Sequence, residues 1–268
     1  MGRTVSRGSF QLHKALRFSR PGRVHLPPGR IAGPGEGVMP NTFQRPLPPC
    51  GRSHGGSLLN VAATCVGTSV LGPGRRSAVW VQGCPFRCRG CMAPDWIPDR
   101  PARLVEPAAL VAELLSDPRV DGLTLSGGEP MEQARGLAEV VRLARLVRDV
   151  TVICFTGHRL ERLRTRPPAT GVPDLLAGLD VLIDGRYVAA RDDGRGLRGS
   201  ANQRVHHLTG RLAGHDFTGG ARKAEVRVRD EEVLLVGVPP PGLLGALDTG
   251  PEPGGAAGHV TPGGGRMR

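Results

Sequence analysis

Three thiols fall within eight residues, in the run Cys84-Pro85-Phe86-Arg87-Cys88-Arg89-Gly90-Cys91, a C-x3-C-x2-C spacing. Thiolates are soft ligands that suit iron–sulfur clusters, zinc or copper. Strand-forming residues Ala78-Val79-Trp80-Val81 precede them, which places the thiols on a loop leaving a strand. Gly90 relieves crowding in such a loop. Three local ligands leave one metal corner without a partner. A structural zinc knuckle would need a fourth ligand, for which Cys65, His54 and His158 are the candidates. In an iron–sulfur site the same vacancy lets a substrate or cofactor bind the fourth iron.

A second stretch bears on that choice. Gly122-Leu123-Thr124-Leu125-Ser126-Gly127-Gly128-Glu129-Pro130 reads as a strand, a glycine turn and a helix start. Two glycines let backbone approach a ligand closely. The plain alternative is a strand-to-helix turn with Glu129 at a helix start, where negative charge is favoured.

The pair of motifs resembles the radical S-adenosylmethionine superfamily, and most closely its small glycyl-radical-activating enzymes. Further matches are Gly72-Pro73-Gly74-Arg75, Trp80-Val81-Gln82-Gly83-Cys84, Asp180-Val181-Leu182-Ile183-Asp184-Gly185-Arg186 and Leu197-Arg198-Gly199-Ser200-Ala201-Asn202-Gln203, so the resemblance runs from about Leu58 to Leu247. It implies a single four-iron four-sulfur cluster on Cys84, Cys88 and Cys91. It implies S-adenosylmethionine bound near Ser126, Gly127, Gly128, Glu129, Thr156 and Gly157, with Glu129 or its loop carbonyls at the ammonium group. The implied reaction is reductive cleavage to a 5′-deoxyadenosyl radical, with an electron from a low-potential donor such as flavodoxin or ferredoxin. The implied partner is a glycyl radical enzyme; a small molecule or a peptide is the alternative substrate. Where many superfamily members carry an aromatic residue this chain has Gly90, as the small activating enzymes often do, so the adenine's stacking partner is unassigned. His158 stands where related chains often have Tyr, and is held as a possible cofactor contact.

Several elements must position these groups. Pro107 to about Ser116 reads as a helix, with Pro at an allowed first-turn position. Gln133–Arg148 is amphipathic, with Leu137, Val140, Val141, Ala144 and Val147 on one face. Thr151–Phe155 is a continuous apolar run of the kind found in buried parallel strands, and Val181–Ile183 reads as another strand. Ala224–Val228 and Val233–Val238 read as a hairpin. Arg191–Gly199 is charged and glycine-rich, and reads as a mobile loop closed by Ser200, Asn202 and Gln203, which form either a structural turn or a site contact. Alternating strands and helices imply an α/β domain with a mainly parallel sheet. The resemblance makes it an incomplete TIM-type β/α barrel, with ligands at the carboxyl ends of the strands. Cys65, Cys154 and Trp96 are expected to be packing residues.

Of the 268 residues, 39% are hydrophobic and 3% aromatic, so aliphatic side chains must fill the core. The net charge is +12, but residues 1–57 hold nine Lys or Arg against Glu36 alone, a net +8 that leaves +4 for the remainder. Residues 1–57 and 248–268 are Gly- and Pro-rich and are expected to be disordered tails around a core of 58–247; a translation start at Met39 or near Leu58 would also explain the basic segment. No apolar run reaches membrane-spanning length. Six cysteines, three of them clustered, do not make a disulfide framework, which points to the reducing cytoplasm. A zinc-stabilised nucleic-acid-binding protein is the rival class. The concentration of charge in one tail and the scarcity of aromatics speak against nucleic acid.

Overall fold

The computed structural model describes residues 58–229, 232–240 and 243. The expected tails, together with Cys50 and His54, lie outside the described residues. The strands are β1 (Leu59–Thr68), β2 (Arg76–Val81), β3 (Arg103–Val105), β4 (Gly122–Gly127), β5 (Thr151–Thr156), β6 (Val181–Asp184) and β7 (Arg204–His207), with a separate hairpin of β8 (Ala224–Arg229) and β9 (Glu232–Gly237). The helices are α1 (Pro107–Leu114), α2 (Ala134–Val147), α3 (Leu160–Thr165) and α4 (Val172–Gly178).

The seven strands form one mixed sheet in the order β3-β1-β2-β4-β5-β6-β7. Its centre is parallel, as β2 pairs with β4, β4 with β5 and β5 with β6. The edges are antiparallel: β1 pairs with β2 and β3, and β7 with β6. The buried apolar strands at the centre are those the sequence announces. The edge strands are less legible, because β3 has three residues and β7 is Arg-Val-His-His.

Period-two alternation sorts the side chains onto two faces. Val79, Val81, Leu123, Leu125, Val152, Cys154 and Leu182 face all four helices, and this layer holds the main core. The opposite face carries Ala78, Trp80, Ile153, Val181 and Ile183, covered by the β8–β9 hairpin and by Leu212 and Phe217 of the following loops. Cys65 and Cys154 are buried in these layers, as expected of small apolar side chains.

Buried polar groups lock the strand ends. At the amino end, the fully buried Arg76 donates to Thr124 Oγ1 (2.8 Å), Thr151 Oγ1 (2.9 Å) and the carbonyls of Leu123 and Thr151. Burial lowers its pKa to about 10. At the carboxyl end of β6, Asp184 accepts from Leu160 N, Arg159, Arg204 and His206, tying β6 to α3 and β7. Burial opposes its ionisation, but those donors hold the carboxyl down at about 2. No described helix is long and apolar enough to cross a membrane.

Candidate functional site

The thiol loop begins where β2 ends. Its entry is pinned by backbone bonds, Gly83 N to Trp96 O (2.9 Å) and Cys84 N to Ile97 O (3.0 Å). The glycine turn after β4 is bonded to the same segment, through Gly128 N to Val81 O (2.7 Å) and Glu129 N to Gly83 O (2.9 Å). A Cβ on Gly128 would collide with the Gly83 carbonyl. Two motifs 35 residues apart in sequence, from Cys91 to Ser126, are therefore one joined structure, because β2 and β4 are parallel neighbours.

Cys84, Cys88 and Cys91 line one cavity at the carboxyl ends of the parallel strands. Ser126, Gly127, Gly128 and Glu129 form a second side of it, and Thr156 and Gly157 a third. Every cofactor-site residue named from the sequence thus borders the same space. Among the described residues no three His, Cys, Asp or Glu side chains gather where one metal ion could be held. Cluster thiolates each ligate a different iron, so they need to surround a cavity rather than meet at a point. The zinc alternative finds no fourth ligand in Cys65, which is buried beside Leu71 and Ala78, or in His158, which faces Glu132 and Phe86.

The donor set fits a cluster. On the loop's side the cavity is lined by the three thiols with Phe86, Met92 and Ala93, and burial pushes Cys84 up to about 12 and raises Cys91. Iron must therefore displace protons from Cys84 and Cys91 on binding. The Ala93 N–H donates to Cys91 Sγ (3.4 Å), an early hydrogen bond for a thiolate.

Glu129 is a strut. It is 1% exposed; Oε1 accepts from Met131 N (3.0 Å) and Thr156 Oγ1 (2.7 Å), and Oε2 from Gly157 N (2.8 Å). One carboxylate thereby fastens the β4 turn to the β5 turn. Burial raises its pKa to about 7.

Phe86, inside the thiol loop, is a contact that sequence reasoning missed. It packs so closely on Gly157 that a Cβ there would enter its ring. His158 meets it edge-on at 4.6 Å, and the Arg186 guanidinium lies 4.4 Å over its face, an attractive cation–π geometry. Its signal was an aromatic between the first two cysteines, but the partners come from β5 and β6. His158 is buried, and burial lowers its pKa; it supports Phe86 and is not among the residues that border the cavity. Trp96 packs on Trp80 at 5.7 Å, and both border the cavity.

The turn at Ser200–Gln203 is structural and also reaches the site. Gln203 accepts from Gly199 N (2.7 Å) and donates to Gly185 O (2.7 Å), Ser200 Oγ accepts from Val188 N (3.1 Å), and Asn202 donates to Arg186 O (2.8 Å). Gly199 and Gln203 border the cavity. The Arg191–Gly199 segment, expected to be mobile, is held by Arg198 on Asp193 (2.9 Å) and Arg222 on Asp192 (2.8 Å).

Comparison with known proteins agrees with this geometry. The pattern of the 4Fe-4S single cluster domain family matches residues 70–206, half of the chain. The anaerobic ribonucleoside-triphosphate reductase-activating protein of Vibrio cholerae is 35% identical over 150 residues, spanning 52% of this chain and 92% of that protein. The proteins of that name from Escherichia coli K12 and Enterobacteria phage T4 are 32% and 30% identical, over 92% and 93% of their lengths. With its three thiols set around one cavity and its matched region spanning nearly the whole of these relatives, the chain belongs to the 4Fe-4S single cluster domain family, with the anaerobic ribonucleoside-triphosphate reductase-activating proteins.

Proposed function

We propose that this chain is a radical S-adenosylmethionine enzyme that activates a glycyl radical partner. The observation that carries the reading is the convergence of the thiol loop and the Ser126–Glu129 turn on one cavity. A four-iron four-sulfur cluster held there by Cys84, Cys88 and Cys91 would pass one electron from an external donor to S-adenosylmethionine, so that a carbon–sulfur bond breaks to give methionine and a 5′-deoxyadenosyl radical.

The protein's own part is to hold, orient and exclude water. Cys84, Cys88 and Cys91 are the cluster ligands. The turn at Ser126, Gly127 and Gly128 presents backbone to the methionine end, and Thr156 and Gly157 complete that side. Glu129 is already bonded three times within the fold, so it acts by fixing the turn's shape. Phe86 seats the thiol loop against β5 and β6. The mixed sheet is read as an incomplete β/α barrel, with the cavity on the face away from the helices. The partner is a glycyl radical enzyme of the kind named for the relatives, an anaerobic ribonucleotide reductase. A flavodoxin- or ferredoxin-like donor in a reducing cytoplasm belongs to the same reading.

Anaerobic reconstitution with iron and sulfide tests it. The wild type should hold a four-iron complement and, with a reductant, convert S-adenosylmethionine to methionine and 5′-deoxyadenosine. Cys84→Ala, Cys88→Ala and Cys91→Ala should each lose cluster and cleavage together. A colourless protein holding one zinc ion would overturn the proposal. Adding the anaerobic reductase should then yield a glycyl radical signal in paramagnetic resonance; its absence would leave the cleavage chemistry standing and remove the partner.

A further inference from the structure

The family pattern ends at residue 206, and the β8–β9 hairpin lies beyond it. Yet Leu235, Gly237, Val238 and Pro239 border the same cavity as the three thiols. The hairpin is built onto the site by specific contacts. Val236 is fully buried with Leu71, Ala78 and Trp80. Glu225 accepts from Ser69 N (3.0 Å), and Arg227 donates to Gly67 O (3.0 Å), which fixes β8 to the end of β1 and the turn after it.

Arg222 is the main anchor. Its side chain is 1% exposed and pairs with Asp192 at 2.8 Å. It also donates to the carbonyls of Arg198 (2.9 Å), Gly199 (3.0 Å) and Pro239 (3.4 Å). A buried guanidinium with this many acceptors sets the spacing of the segments it joins. Here it joins the end of the hairpin to Gly199, which lies against Met92 and Tyr187 next to the thiol loop. Asp192 also accepts from the Tyr187 hydroxyl at 3.2 Å.

The two ends of the cavity differ chemically. The turns after β4 and β5 offer backbone and hydroxyl groups, whereas the hairpin offers aliphatic side chains beside Trp80 and Trp96. Small-molecule sites pair an apolar lining with a few placed polar groups in this way. We propose that the hairpin is an added wall of the cofactor site, on which Leu235, Val238 and Pro239 contact the nucleoside of S-adenosylmethionine while Arg222 acts as the positioning residue. This rests on the reading of the cavity as an S-adenosylmethionine site.

The test is equilibrium dialysis on the anaerobically reconstituted full chain, with S-adenosylmethionine, 5′-deoxyadenosine and methionine as separate probes. Leu235→Ala/Val238→Ala should weaken S-adenosylmethionine and 5′-deoxyadenosine about tenfold, the scale of losing roughly one well-buried apolar contact, and leave methionine unchanged. Arg222→Met should show the same selective loss, whereas a merely structural role would weaken all three probes together or empty the cluster. Val228→Ser alters a side chain on the hairpin that is 68% exposed, and should bind all three probes as the wild type does. Unchanged nucleoside binding in the Leu235/Val238 variant would overturn the inference and leave the enzyme reading intact. A cluster-loaded wild type that binds no S-adenosylmethionine would overturn both.

Discussion

At the scale of single residues, the carboxyl of Glu129 is the most informative group outside the cysteines. Burial first, against three opposing donors, carries it to about 7 from an ordinary 4.5. A carboxyl raised by folding holds its proton more readily in the fold than in the unfolded chain. Its stabilising contribution is therefore complete below about 4.5 and is lost as pH climbs to about 7. Glu129→Gln removes that dependence. It also turns an amide nitrogen toward a backbone donor, leaving one group unsatisfied at about 1–3 kcal/mol. In urea unfolding of the metal-free protein, the stability of the wild type relative to this variant should fall by about 2 kcal/mol between about pH 5 and about pH 7.5. A constant difference across that window would mean that Glu129 titrates normally. The sequence places Glu129 in a motif, but its bonds to Thr156 and Gly157 depend on which strand lies beside β4.

At the scale of elements, close backbone approach holds the two motifs together. Gly128→Ala would drive a methyl group into the Gly83 carbonyl, a fixed backbone atom, at a cost of about 1–3 kcal/mol. Because Gly83 adjoins Cys84, reconstituted iron content should fall along with the melting temperature. Arg76 provides the contrast from the other end of the strands. Arg76→Met removes the donors to β4 and β5 and should cost about 2–3 kcal/mol. Its cleavage rate per bound iron should stay that of the wild type, since the site lies at the opposite strand ends. A variant that melts normally, or loses turnover per iron, would contradict this division between clamp and site. The two longer helices, the central strands and the hairpin were legible in their apolar periodicity. The strand pairing of Arg204–His207 was not, because its sequence is polar and it pairs only with β6.

At the scale of the molecule, every residue bordering the cavity lies between Leu71 and Pro239, while two thirds of the net positive charge lies in residues 1–57. Deleting residues 1–57 should therefore leave iron loading and S-adenosylmethionine cleavage unchanged. Any nucleic-acid affinity of the full chain should vanish with that segment, as a filter-binding titration against salt would show. Affinity that survives the deletion would revive the nucleic-acid reading. The four helices cover one sheet face and the hairpin and loops the other, so the cavity opens on the face without helices.

What the sequence determined alone is chemical and local: a trio of soft ligands, a glycine turn able to meet a ligand, and the strands and helices that carry them. Side-chain type and short-range periodicity suffice for these, because both are properties of neighbouring residues. Only the tertiary structure decided that Phe86 would lie between Arg186 and His158, that Glu129 would serve as a strut, and that a hairpin after residue 206 would close the cavity. Those facts depend on strand order and on which sheet face the hairpin covers, and long-range packing fixes both.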